Sequence, residues 1–257
     1  MKRIGIAGQG GSFLILTLAK TLKGLSVSVH IEDISFDKAL LKLVSPLDTG
    51  ALTDTEFKNI AVHNGTYDNE DEITLTYLGL VPDIEIPENT DRIIYATDML
   101  PEHIRQLNSS SIRNWRKTHS SENNTIDSEK DYLPEKSEEP VAAESVSKTK
   151  QKKNSGNKKS KTEELTKFSN ESLFLYDFVK CNFGTSRILA LLGTDPGPKY
   201  INKVFVNNTD IANRAMLEDA TSEIKLRDFS EGYRNAILEI LKTILEKDIN
   251  FKEIKAL

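Results

Sequence analysis

The stretch Arg3-Ile4-Gly5-Ile6-Ala7-Gly8-Gln9-Gly10-Gly11-Ser12-Phe13 decides the fold. A short apolar run enters a glycine-rich turn that ends in a serine, and Leu14, Leu16, Leu18, Ala19 and Leu22 follow at helical spacing. Strand, tight turn and helix in that order open a parallel α/β sheet. Aligned with the phosphate-loop template GxxxxGK[ST], Gly5 to Ser12 match at every fixed position except one, where Gly11 stands for the lysine. Backbone N–H groups of such a loop cradle phosphate, the lysine neutralises it, and the hydroxyl binds Mg²⁺. Here the glycine frame and Ser12 remain and the cation is missing. The residues also fit GxGxxG as Gly8, Gly10 and Phe13, with Glu32 or Asp33 placed for a ribose, and they fit a bare turn whose glycines serve sterics alone. All three readings are open at this level.

Downstream, Val27 to Ile31 reads as a strand closed by Glu32-Asp33, and Phe36 to Val44 as a helix stopped by Pro46. Gly24 stands at a helix C-cap position. Asn59 to His63, Glu72 to Leu78 and Arg92 to Thr97 read as further strands, the last ending at Asp98, and a helix begins at Pro101. After a gap, Phe174 to Val179 and Lys203 to Val206 read as strands. Arg187 to Leu192, Asp210 to Asp219 and Ser230 to Glu246 read as helices, with Asp210 and Ser230 as N-caps. The fold class is therefore α/β: a doubly wound, mainly parallel sheet with helices on both faces.

The chain divides into an N-terminal half of the domain (1–117), a low-complexity insertion (118–167) and a C-terminal half of the same domain (168–257). The insertion is acidic first, and residues 146–162 then carry seven lysines and neither an acid nor an aromatic. Neither part holds enough apolar surface to offset chain entropy, so disorder is expected. Contact of the lysines with nucleic acid or anionic membrane is the functional alternative to a solvated linker, and it would be nonspecific and salt-sensitive.

Among 257 residues the hydrophobic share is 38%, the net charge is −5, and Cys181 is the one cysteine. These values exclude a disulfide framework and a cysteine-built zinc site, and give no general electrostatic case for nucleic acid. A cytoplasmic protein is expected. His30, His63, His103 and His119 show no metal-ligand spacing, and the tail around Ile249, Phe251, Ile254 and Leu257 is too short and weakly charged for firm membrane binding.

Four segments carry a resemblance: residues 3–22, RIGIAGQGGSFLILTLAKTL; residues 90–107, TDRIIYATDMLPEHIRQL; residues 179–184, VKCNFG; and residues 222–241, SEIKLRDFSEGYRNAILEIL. In this order they resemble the MinD/ParA group of deviant P-loop proteins, and in particular its degenerate members associated with pilus, secretion, flagellar or conjugation machinery. The resemblance implies a P-loop NTPase-like fold, with Gly8, Gln9, Gly10, Gly11 and Ser12 as phosphate loop and Asp33, Asp98 and Asn182 around a nucleotide. It implies ATP or ADP with Mg²⁺ on Ser12, a homodimer, protein partners, and recruitment to the membrane face through them. The family's active members carry a second lysine early in the loop, at the position of Ile6, so both cations are absent. The strand-end aspartate of the second switch has no clear counterpart, with Asp68, Asp71, Asp83 and Asp98 all candidates. The expectation is a non-hydrolysing adaptor or localisation factor, a pseudo-ATPase. The alternatives are an ATPase that takes its cation from Lys20, Arg187 or a partner chain, and a DNA-partitioning factor.

Overall fold

The computed structural model describes residues 1–45, 54–68, 70–82, 84–98, 100–120, 170–177, 185–192, 200–218, 225–250 and 252. The insertion beyond Ser120, with its lysine block, lies outside the described residues, as do Asp83, Cys181, Asn182 and most of the C-terminal tail.

Eight strands form one sheet in the order β3-β4-β2-β5-β1-β6-β7-β8. They are β1 (Lys2–Ala7), β2 (Val29–Asp33), β3 (Thr55–Phe57), β4 (Ile60–Asn64), β5 (Ile73–Gly79), β6 (Thr90–Asp98), β7 (Glu171–Asp177) and β8 (Tyr200–Phe205). All pairs are parallel except the edge hairpin β3–β4. The helices are α1 (Gly11–Gly24), α2 (Ala39–Val44), α3 (Pro101–Gln106), α4 (Ser110–Ser120), α5 (Thr185–Leu192), α6 (Asn208–Glu218) and α7 (Glu231–Leu245).

Strands on both sides of the insertion thus lie in one doubly wound sheet, and side-chain alternation along the central strands feeds two cores. On the first face Ile4, Ile6, Ile94, Ala96, Phe174 and Tyr176 meet α1, α2, α6 and α7. On the second, Ala7, Ile93, Tyr95, Leu173 and Leu175 meet α3, α4 and α5. Connections that step toward β4 cross the first face and those that step toward β8 cross the second, as right-handed crossovers require. The chain reverses its direction of winding around β1, so the loops at the carboxyl ends of β2, β5, β1 and β6 flank a switch point, where open α/β sheets place their ligands.

Local differences from the sequence reading have local causes. Phe36 and Asp37 form a turn ahead of α2, because Lys38 takes a left-handed conformation (φ 51°) and Asp33 caps the helix. Helix α1 runs through Gly24, and the left-handed residue beyond it is Ser26 (φ 61°). Helix α6 is capped by Asn207, whose side chain accepts from the Asp210 amide while Asp210 accepts from the Asn207 amide, a reciprocal capping box. Leu226–Asp228 is a single 3-10 turn ahead of α7. Ser230 caps α7 by accepting from the Tyr233 amide.

Candidate functional site

Strand β1 ends at Ala7 and α1 begins at Gly11, so the loop between them is Gly8-Gln9-Gly10. Gly5, the first glycine of the phosphate-loop template, is a mid-strand residue, in register with Thr76 on one side and Ile93 on the other. The template therefore spans half a strand, and the turn itself is three residues long.

Three amides of this turn are committed to protein carbonyls. Gly8 donates to Gly79 at 2.9 Å, Gly10 donates to Ala96 at 2.9 Å, and Gly11 donates back to Gly8 at 2.9 Å. These bonds tie the turn to the ends of β5 and β6. Gly8 has φ +104°, and a Cβ there would meet the Ala96 carbonyl oxygen at 2.5 Å, which explains the glycine in both conformation and space. At Gly10 the space of a Cβ is filled by the ring of Tyr176, 2.0 Å from Cε2, and at Gly11 by that of Tyr77, 2.9 Å away. The Tyr176 hydroxyl donates to the Gly10 carbonyl at 3.4 Å. Burial raises both phenols above their ordinary range, with the charges of Asp37 and Asp33 adding to the effect at Tyr77, so neither ring offers charge near neutrality. Ser12 is half-buried in the first turn of α1 and Gln9 is exposed.

The carboxylates expected around a nucleotide have partners of their own. Asp33, fully buried at the end of β2, accepts from the amide and hydroxyl of Ser35 and from the Leu41 amide at 3.0 Å. Asp98, at the end of β6, accepts from the Leu100 amide at 2.9 Å and pairs with Nδ1 of His103 at 2.8 Å. Asp68 and Asp71 lie in the connection from β4 to β5, where Asp71 meets His30. Phe13, the third position of the dinucleotide pattern, is buried against Tyr176, Phe229 and Tyr233. Of the cations considered, Lys20 lies nine residues into α1, about 13 Å along its axis from the loop, and Arg187 is exposed on α5. Sequence reasoning missed Arg214, whose guanidinium lies 5.1 Å from the Phe13 ring centre. It lines a cavity of about 110 Å³ with Tyr176, Val206, Asp210 and Ile211, well below the 300–1,000 Å³ of ordinary small-molecule sites. A larger groove of about 680 Å³, lined in part by Ile86, Glu88, Trp115 and His119, lies by the amino end of β6, where Trp115 donates to the Thr90 carbonyl.

Gly8 to Ser12, Asp33 and Asp98 thus share the carboxyl edge of the sheet, but as a closed turn and two capping carboxylates. In this arrangement the Gly8, Gly10 and Gly11 amides, the space beside those glycines and both acids are engaged within the chain. Beside the turn the same edge carries apolar side chains. Phe36 after β2 is 96% exposed, and Leu80 and Val81 after β5 and Leu100 after β6 are exposed as well. Among the described residues no group of histidine, cysteine and acids is arranged to hold a metal ion, and no helix is long and apolar enough to cross a membrane.

No protein-family profile matches the chain, and no curated protein does. A solved structure does match: the MinC:MinD cell division protein complex of Aquifex aeolicus, with a TM-score of 0.52, 10% identity, and coverage of 98% of this chain and 98% of that one. The chain is thus similar in fold to MinD, across nearly its whole length and with little sequence in common.

Proposed function

We infer that this chain is a non-hydrolysing, MinD-like adaptor or localisation factor whose carboxyl edge contacts protein rather than nucleotide. The observation that carries this reading is the commitment of the Gly8, Gly10 and Gly11 amides to carbonyls of the chain itself. A phosphate could use those three amides only by breaking their bonds, and it would have no lysine in the turn to neutralise it. Exposure of Phe36, Leu80, Val81 and Leu100 on the loops around the turn supports a protein contact on the same edge. The neighbouring structure is itself a complex of two proteins. A larger bacterial assembly, with conjugation, pilus or secretion machinery as the setting that the sequence resemblance implies, is where such an adaptor would act.

Amide hydrogen exchange tests the reading. The Gly8, Gly10 and Gly11 amides are expected to be protected in the free protein and to keep the same rates in millimolar Mg²⁺-ATP. Fast exchange that slows on adding nucleotide would overturn it.

A further inference from the structure

The second sheet face carries a row of polar side chains between β2 and β6. His30, Thr74, Arg3 and Thr90 stand side by side on β2, β5, β1 and β6: His30 pairs in register with Thr74, Thr74 with Arg3, and Arg3 with Thr90. All four are at least nine-tenths buried. Each keeps one buried polar atom without a hydrogen bond: His30 Nε2, Thr74 Oγ1, Arg3 Nε and Thr90 Oγ1. The large majority of buried side-chain polar atoms in native proteins have a partner, and four unpaired ones side by side in one register row point to a shared partner.

The charges choose its chemistry. Arg3 Nη2 donates to Glu32 Oε1 at 2.8 Å, and Nη1 donates to Asn89. Burial opposes ionisation of Glu32, but the adjacent His30 ring, the Tyr67 amide, Thr76 and Arg3 outweigh it and hold the carboxyl below its ordinary range. The arginine charge is thus answered, and an anion along the row would meet Glu32 as well as Arg3. His30 Nδ1 meets Asp71 Oδ2 at 3.1 Å, and Nε2 stands 3.7 Å from Glu32 Oε1, too far to bond it. The row then needs an acceptor for Arg3 Nε–H, a partner for His30 Nε2, and a partner of either kind for the two hydroxyls. A neutral molecule that both donates and accepts, repeated at the strand spacing of about 4.8 Å, meets all four demands.

We propose that this row binds a file of ordered water molecules, bridging His30, Thr74, Arg3 and Thr90 across four strands. The file ties the connection that carries Asp71 and Tyr67 to the sheet and links it to the turn before β6. Water that bridges several buried groups is part of a fold and costly to remove.

Two measurements on the full chain test this. Magnetisation transfer from long-lived water to the Thr74 and Thr90 methyl groups is expected by NMR. Thr74→Val and Thr90→Val, which keep shape and delete a water partner, are each expected to lower Tm by about 2 to 4 °C. Absence of long-lived water at these methyls, with valine variants whose Tm is unchanged or raised, would overturn the proposal, because removing a truly unpaired hydroxyl relieves a cost.

Discussion

A Cβ placed on Gly10 would lie 2.0 Å from Cε2 of Tyr176, so the turn after β1 keeps its shape by packing glycine backbone against a buried tyrosine ring. Gly10→Ala is expected to cost about 2 kcal/mol through overpacking, seen as a fall in Tm of about 4 to 8 °C. Tyr176→Ala costs stability by its own cavity. The double variant is expected to be more stable than the sum of the two losses, because the clash is gone. Thermal unfolding of all four proteins measures that coupling.

Restoring the lysine is a stricter test of the closed turn. The Cβ of any residue at Gly11 would lie 2.9 Å from the Tyr77 ring, which is itself buried. Gly11→Lys is therefore expected to lower Tm and to yield no ATP hydrolysis above background in a phosphate-release assay. Turnover in that variant would mean that the missing cation alone separates this chain from an ATPase.

Asp33 separates a structural from a nucleotide role. Its carboxylate accepts from the Leu41 amide and from Ser35, anchoring α2. Asp33→Ala is expected to cost about 1 to 2 kcal/mol, the range of a lost helix cap, with no change in any response to nucleotide. Urea unfolding gives the loss directly.

The Arg3–Glu32 pair sets a pH dependence. Both side chains are nearly inaccessible, at 4% and 0%. The Glu32 carboxyl titrates below its ordinary 4.5 in the folded chain, since hydrogen bonds and Arg3 outweigh the opposing burial. A lowered folded value means that the contribution is complete above pH 4.5 and is lost as pH falls through the lower folded value. Glu32→Gln is expected to be less stable at neutral pH, because it strands a buried arginine. Its stability should then fall less steeply than wild type as pH drops below that ordinary value, measured by urea unfolding across the acid range.

The legible parts of the fold are those whose signals are local. Strand β6 reads as a buried strand because Ile93-Ile94-Tyr95-Ala96 is apolar on both faces, as a central parallel strand must be. Helix α7 reads from its apolar spacing and its serine cap. Helix α4 escaped because Ile112 and Trp115 are its only large apolar residues, so its pairing with Thr90 is invisible in the sequence. Strand β3 is three residues long and exists through β4 alone. At the candidate site the sequence places Gly8 to Ser12 after a strand and before a helix, but not the partners their backbone takes. Whether GIAGQGGS forms a wrapping loop depends on how far β1 stays paired, and Gly5 is held in the strand by Thr76 and Ile93, both more than seventy positions away in sequence. Asp33 and Asp98 sit at strand ends as expected, but their partners, Leu41 and His103, become neighbours only once the helices fold back.

The central claim is that the turn after β1 is closed to nucleotide, and isothermal titration of the full chain with Mg²⁺-ATP tests it most directly. The account predicts no saturable heat through the millimolar range. A one-site isotherm, abolished by a bulky substitution at Ser12, would contradict it.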